Sequence, residues 1–232
     1  MLEMGEGPAT AHPSATVVLL RDAAAGPEVL LVQRNTALRH MGGEWVFPGG
    51  RVDAADYPAE GDREGAARRA AVRETREETG LEITDEQLLL LSRWTTPEGV
   101  KRRFSTWFYL AVVDADVEVE VDGGEIAAHR WVSPARVLEE VRDPEHPLRL
   151  FPPTWVTMLD LAAYACCDEA CTRVGAREAF HFQPRMIPLE GGACFLYEGD
   201  AGYASGDLDA PGPRHRTLMR GNHLDYIREL QE

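Results

Sequence analysis

The sequence contains no apolar run close to the roughly 20 residues that a membrane-spanning helix needs, so no membrane-embedded protein is expected. Positive charge is also scarce: 24 Lys and Arg residues stand against 39 Asp and Glu, which gives a net charge of −15. Such a chain lacks the general basic field with which proteins hold nucleic acid or anionic membranes. We therefore expect neither partner, and a polyanionic ligand would need metal ions or a local basic cluster.

Cysteine is rare as well, and three of the four cysteines lie between Cys166 and Cys171. No CxxC pair and no nearby histidine completes a zinc pattern, and disulfides of secreted domains are not bunched in this way. Reduced thiols in a cytoplasmic protein are the expectation. The first residues lack the basic start and apolar stretch of a signal peptide, and we expect a flexible leader over 1–14.

Apolar residues make up 44% of the 232 residues, which is enough for a packed core. We expect one mixed α/β domain over 15–178 and a small β appendage over 179–232. Two hairpins, turning near Gly191 and Gly221, are predicted in the appendage. The sequence leaves open whether the appendage closes a pocket or forms a homodimer interface.

Local patterns predict the elements of the α/β domain. β-Branched and apolar residues between turn signals indicate strands over 15–20, 28–33, 45–47, 88–94, 104–113, 117–121 and 126–132. N-caps, Ala- and Glu-rich stretches and terminal glycines indicate helices over 63–79 and 133–141, and a third that follows 152–154 and runs to about 166.

The first of these helices carries three carboxylates on one face. Glu74, Glu77 and Glu78 stand at i, i+3 and i+4, within an arc of roughly 100°. Their mutual repulsion becomes attraction when a hard divalent cation such as Mg²⁺ or Mn²⁺ binds. Arg73 lies four positions before Glu77 and can orient it, and Gly80 ends the helix. Taken alone, the three glutamates are better explained as an ordinary solvated helix face.

The context of this helix changes that judgement. The segment 73–81 reads RETREETGL and is preceded by the turn Phe47-Pro48-Gly49-Gly50. Together they resemble the Nudix box, G-x5-E-x7-R-E-U-x-E-E-x-G-U with U apolar. The resemblance covers roughly residues 15–141.

The resemblance implies a Nudix α/β/α sandwich with a mixed sheet, and an enzyme that hydrolyses a diphosphate linkage in a nucleotide-derived substrate with Mg²⁺ or Mn²⁺. It implies three metal ligands: Glu74, Glu77 and Glu78. Arg73 would orient Glu77, and the loop glycines would be Gly49, Gly50 and Gly80.

One departure from the pattern concerns its first glutamate. Between the Gly-Gly pair and the box arginine this sequence has nine more residues than the pattern. Counted back from that arginine, the first glutamate falls on Gly65. Its neighbour Glu64 could take the role, or the role could have moved to Asp53 or Asp56.

The inserted stretch GGRVDAADYPAE is similar to a branch of the family, the coenzyme A diphosphatases of peroxisomes and mitochondria. That similarity implies coenzyme A or acyl-coenzyme A as substrate. ADP-ribose, a dinucleotide or a nucleoside triphosphate are alternatives. A non-catalytic Nudix ligand sensor is a further alternative, but here the box keeps its carboxylates and no basic helix-turn-helix is evident.

Residues outside the helix complete the set of candidates. Glu125 follows a Gly-Gly turn and is a candidate base or extra metal ligand, although a plain turn carboxylate fits equally well. Arg102 and Arg103, next to Lys101, form a basic cluster that could contact substrate phosphates or simply be solvated. Arg34, just after a strand, is a weaker phosphate candidate.

Overall fold

The computed structural model describes residues 10–38, 41–143, 145 and 148–229. Within them the strands are β1 (Ala11–Ala23), β2 (Gly26–Arg34), β3 (Trp45–Val46), β4 (Gly49–Arg51), β5 (Leu89–Thr95), β6 (Arg103–Val112), β7 (Ile126–Val132), β8 (Phe180–Phe182), β9 (Arg185–Leu189), β10 (Gly192–Leu196), β11 (Arg214–Arg220) and β12 (His223–Glu229). The helices are α1 (Arg63–Thr79), α2 (Pro134–Val141), α3 (Pro152–Leu161) and α4 (Cys167–Gly175), with short 3-10 turns at Ala54–Asp56 and Asp85–Gln87.

Eight strands form a mixed sheet in the order β3-β2-β1-β6-β5-β8, with β4 also paired to β1 and β7 to β2. Strand β1 runs parallel to β6, and its side chains alternate between the two faces. Val17 and Leu19 pack with α1, whereas Val18 and Leu20 pack with α2, α3 and α4. The sheet therefore lies between helices on both faces, which confirms the α/β/α sandwich.

Helix α1 has the predicted bounds. Asp62 caps its first turn by accepting a hydrogen bond from the Gly65 amide at 2.9 Å. A row of alanines forms its buried face, and their small side chains let the helix approach the sheet closely. Gly80 ends the helix with φ of 69°, a left-handed conformation that favours glycine.

The predicted leader is too long. Residues 1–9 lie outside the described residues, but β1 already begins at Ala11. Ala11 pairs with Arg103 of β6, and Ser14 pairs with both β6 and Arg51 of β4. Hydrogen bonds to β4 and β6 thus extend β1 into a polar stretch. The sequence prediction missed this part of the strand because it has no periodic apolar residues.

The predicted appendage boundary at 179 also differs from the structure. Strand β8 pairs parallel with β5 and belongs to the large sheet, and the Phe182 ring stacks on Trp94 with centroids 3.9 Å apart. The appendage proper is the antiparallel sheet β12-β11-β10-β9. Its two hairpins, β9–β10 and β11–β12, were predicted correctly, and residues 230–232 lie outside the described residues.

Two other predictions were wrong. Residues 117–121 are extended but join no sheet; the Glu120 amide donates instead to the carbonyl of Thr79 at the end of α1. The helix predicted to follow 152–154 and to run to about 166 instead begins at Pro152 and ends at Leu161, and a second helix, α4, follows it. In the part of the chain that is described, no helix is both long and apolar enough to cross a membrane.

Candidate active site

The turn between β3 and α1 lies against the carboxylates of α1. Strand β4 pairs with β1, which fixes the two glycines of the turn beside the helix. The amide of Gly49 donates to Glu78 Oε2 at 2.8 Å. A Cβ on Gly50 would overlap the Glu74 carboxylate, so only glycine allows this approach without displacing that side chain. The predicted loop glycines and two of the predicted carboxylates therefore come together.

Arg73 is the centre of a second set of contacts. Its Nη1 donates to Glu74 at 2.9 Å and to Glu77 at 3.1 Å, and its Nη2 donates to the carbonyl of Arg51 at 3.0 Å. Nε and Nη2 donate to the buried carboxylate of Asp56 at 3.1 and 2.9 Å. Burial would raise the pKa of Asp56, but the hydrogen bonds from Arg73 and from a backbone amide outweigh it and lower that pKa.

This geometry favours Asp56 among the residues that could replace the displaced box glutamate. Counted forward from Gly50, the acidic residue of G-x5-E falls on Asp56, and Asp56 is the residue that holds Arg73. The nine extra residues lie after Asp56, not before it. Glu64 is on the first turn of α1, where its charge acts on Arg93 rather than on the site. A forward count along the pattern would have found Asp56 in the sequence; a count back from the arginine led to Gly65 instead.

The carboxyl groups of Glu74 and Glu78 disfavour each other's ionisation. Burial is the largest influence that raises the pKa of Glu78; the negative charges of Glu74 and Glu125 also raise it, the Gly49 amide and Arg34 lower it, and the result is a pKa of about 8. Burial also raises the pKa of Glu74, partly offset by Arg73. The surroundings of both carboxyl groups therefore oppose their ionisation when no cation is bound.

Glu125 and Arg34 form an ion pair at the edge of the same site. Arg34 Nη2 lies 2.7 Å from Glu125 Oε1. Both charges act on the carboxyl of Glu78, so the pair lies within electrostatic range of that carboxyl. The turn before Glu125 is built by Asp122, whose carboxylate accepts hydrogen bonds from three consecutive backbone amides. Sequence reasoning identified both members of the pair but not the pair itself.

The basic cluster lies further away. Arg103 begins β6, beside Ala11 and one position from His12 on β1. The His12 ring is 3.4 Å from Arg51 Nη2, so the cluster shares a sheet end with the loop that follows Gly50. Arg102 is exposed, and the contacts described for the carboxylates of Glu74 and Glu77 are made by Arg73.

A divalent ion suits this donor set. Among the described residues, no three carboxylate, imidazole or thiol groups already converge on one point. Arg73 holds Glu74 and Glu77, while Glu78 is bonded to the loop. Carboxylate oxygens are nonetheless the ligands that Mg²⁺ and Mn²⁺ prefer, and the raised pKa of both buried glutamates marks negative charge that a cation would compensate.

Comparisons with known proteins agree with the fold. A sequence model of the NUDIX domain matches residues 10–151. A Mycobacterium tuberculosis protein named "Putative 8-oxo-dGTP diphosphatase 3" is 32% identical over 200 residues, which cover 83% of this chain and 77% of that protein. A NUDIX hydrolase crystal structure from Alicyclobacillus acidocaldarius has a TM-score of 0.61 at 25% identity and covers 70% of this chain and 96% of its own. The acyl-coenzyme A diphosphatase NUDT19 of Xenopus laevis is 25% identical over 59% of this chain and 37% of its own length.

Proposed function

The chain belongs to the NUDIX family of hydrolases, and we propose that it uses Mg²⁺ or Mn²⁺ to hydrolyse a diphosphate linkage in a nucleotide-derived substrate. The observation that carries the proposal is the pair of carboxyl groups of Glu74, half-buried, and Glu78, buried, held under the Gly49–Gly50 turn and beside Arg73.

The roles of the residues follow from their contacts. A divalent ion bound by Glu74, Glu77 and Glu78 would neutralise phosphate charge and lower the pKa of an attacking water. Arg73 keeps Glu74 and Glu77 oriented, and Asp56 keeps Arg73 in place. These residues set the geometry in which water attacks phosphorus.

The proton of the attacking water needs an acceptor. Glu125 is half exposed, on a turn whose backbone is fixed, and its charge reaches both buried glutamates. We assign it the role of general base. Arg34, whose guanidinium borders the same space, is the candidate ligand for a substrate phosphate.

For the substrate we propose coenzyme A or acyl-coenzyme A, cut to a phosphopantetheine and adenosine 3',5'-bisphosphate. The acidic insertion after Gly50 and the low-identity similarity to NUDT19 support this choice. Arg102 and Arg103 offer cations for the 3'-phosphate at the sheet end that also carries Arg51. ADP-ribose, a dinucleotide or a nucleoside triphosphate is the alternative, and the name of the mycobacterial relative favours an oxidised triphosphate among these.

Two measurements test the proposal. Purified protein is assayed for phosphate-containing products against a panel of these substrates, with Mg²⁺, with Mn²⁺ and with chelator. No hydrolysis of any substrate, together with metal-independent binding of one of them, would indicate a ligand sensor instead.

The Arg103→Ala variant is then compared on coenzyme A and dephospho-coenzyme A. We expect KM to rise more for coenzyme A, because only that substrate loses a charge contact; equal changes would remove this cluster from 3'-phosphate recognition.

A further inference from the structure

Arg34 is fixed by its backbone and aimed into the site. It is the last residue of β2, at a point where the pairing with β7 shifts register. Its amide donates to the carbonyl of Glu44 at 3.1 Å, and its carbonyl accepts from the Gly43 amide at 2.8 Å. Only 18% of its side chain is exposed. The anchored backbone and the low exposure limit how far the guanidinium can move when it binds an anion.

Glu125 is fixed by its backbone but not by its side chain. Its amide donates to Asp122 at 2.8 Å, and its carbonyl accepts from the Asn35 amide at 2.7 Å. Half of its side chain is exposed, and the carboxylate meets Arg34 from the solvent side of the pair. A rotation about the side-chain torsions is enough to move this carboxylate away without disturbing the turn.

Arg34 should bind a phosphate more strongly than it binds the Glu125 carboxylate. An ion pair with a half-exposed carboxylate contributes little to stability, because water screens it and the side chain loses rotamer freedom. A phosphate carries more charge and accepts parallel hydrogen bonds from a guanidinium. A diphosphate that enters beside Glu78 thus competes directly with Glu125 for the same cation.

On the basis of the proposed function, we infer that Arg34 is a shared cation. It holds the Glu125 carboxylate while the site contains no substrate, and it exchanges that carboxylate for a phosphate oxygen of the bound diphosphate. The exchange releases Glu125 beside the reacting phosphorus when the substrate is in place. Arg34 is then a positioning residue for Glu125 as well as a phosphate ligand.

The inference predicts that removing the charge of Glu125 strengthens anion binding. In the Glu125→Gln variant the phosphate no longer has to displace a carboxylate from Arg34. We expect the protein in saturating Mg²⁺ to bind imidodiphosphate, a diphosphate analogue with a bridging NH, about tenfold more tightly than the wild type, or about 1.4 kcal/mol. Isothermal titration calorimetry measures this without any turnover.

A double-mutant cycle separates the exchange from a general effect of charge. In an Arg34→Gln background, Glu125→Gln should change the affinity by less than about twofold, because the shared cation is gone. Arg34→Lys keeps the charge without the planar fork, and should keep part of the coupling. Glu118→Gln, which removes an exposed carboxylate that has no described partner, is the matched control and should leave the affinity unchanged.

Three results would overturn the inference: wild-type protein that does not bind imidodiphosphate, a Glu125→Gln variant that binds it no more tightly, or an equal gain in the Arg34→Gln background. The cycle does not depend on which substrate is cut. Anion binding that follows the prediction in a protein without hydrolytic activity would leave the exchange standing and reject the proposed function. Hydrolysis without coupling between Arg34 and Glu125 would reject the exchange and leave the proposed function standing.

Discussion

Asp56 and Arg73 are 17 positions apart in the chain, yet Arg73 Nε and Nη2 donate to the two carboxylate oxygens of Asp56 at 3.1 and 2.9 Å. Arg73 in turn donates to Glu74 and Glu77 on its own helix. The pair therefore fixes the loop before the inserted residues to α1 and, through one guanidinium, sets the position of two candidate metal ligands.

Asp56→Asn tests this relationship. It leaves the shape but removes the charge that faces Arg73, whose side chain is 28% exposed. We expect the free energy of unfolding to fall by about 1–3 kcal/mol and turnover to fall at least tenfold, because Arg73 no longer holds Glu74 and Glu77. Chemical denaturation and steady-state kinetics measure both. Glu64→Gln is the matched control and should keep wild-type activity; a loss in that variant instead would return the role to Glu64.

Glu78→Gln should separate activity from stability. The buried carboxyl has a pKa raised to about 8, so at neutral pH it must take up a proton when the chain folds, and the neutral amide does not carry that cost. We expect metal-free protein at neutral pH to gain roughly 1–3 kcal/mol of stability, while turnover in Mg²⁺ falls by orders of magnitude.

Glu77→Gln is the comparison for that experiment. Glu77 is 58% exposed, so this variant should lose turnover without gaining stability. Thermal unfolding with chelator and kinetics with Mg²⁺ provide the two readouts. Wild-type turnover in both variants would remove α1 as the metal-binding helix.

Gly50→Ala tests the close approach of the turn to α1. Its Cβ would overlap the Glu74 carboxylate, which is the end of a flexible side chain and can move. We expect turnover to fall about tenfold or more, with little change in unfolding temperature. Gly175→Ala, with no atom near the added methyl, is the control and should keep its activity. Full activity in Gly50→Ala would show that Glu74 need not stay where the structure has it.

The appendage should become less stable in mild acid. Burial of His215, whose ring lies between the Glu198 carbonyl and the Tyr226 hydroxyl, lowers its pKa below 6.5. The unfolded chain takes up a proton near pH 6.5 while the folded one resists it, so stability is present above that pH and is lost as the pH falls. We expect wild-type protein to lose more stability than His215→Gln when the pH falls below 6.5, measured by urea unfolding. Equal losses of stability in the two proteins would show that His215 does not cause the acid sensitivity.

Asp200 adds a second acid-sensitive contact at lower pH. Burial alone would raise its pKa, but two hydrogen bonds from Arg216, each 2.7 Å, and two from backbone amides lower it below 3.8. Its contribution to stability is therefore present above about pH 3.8 and is lost below it. In Asp200→Asn the additional loss of stability below that pH should disappear. If this variant loses as much stability as the wild type below about pH 3.8, the loss is caused by other groups.

Local signals were sufficient for the bounds of the helix. The run of alanines, the acidic cap and Gly80 set the bounds of α1, because helix periodicity and capping depend on residues a few positions apart. The same periodicity placed Glu74 and Glu78 on one face. The sandwich was expected from the resemblance of this segment to the Nudix box.

Only the tertiary structure decided the contacts that join distant segments. The insertion hid Asp56 as the partner of Arg73, since the path of a loop is set by what it packs against. Arg34 and Glu125 come from different parts of the chain and meet because β2 and β7 pair. The same holds for β8, whose three residues carry too little pattern to predict their sheet but are fixed there by β5 and by the stacking of Phe182 on Trp94. Sequence patterns report neighbours along the chain, whereas these contacts depend on long-range pairing and packing.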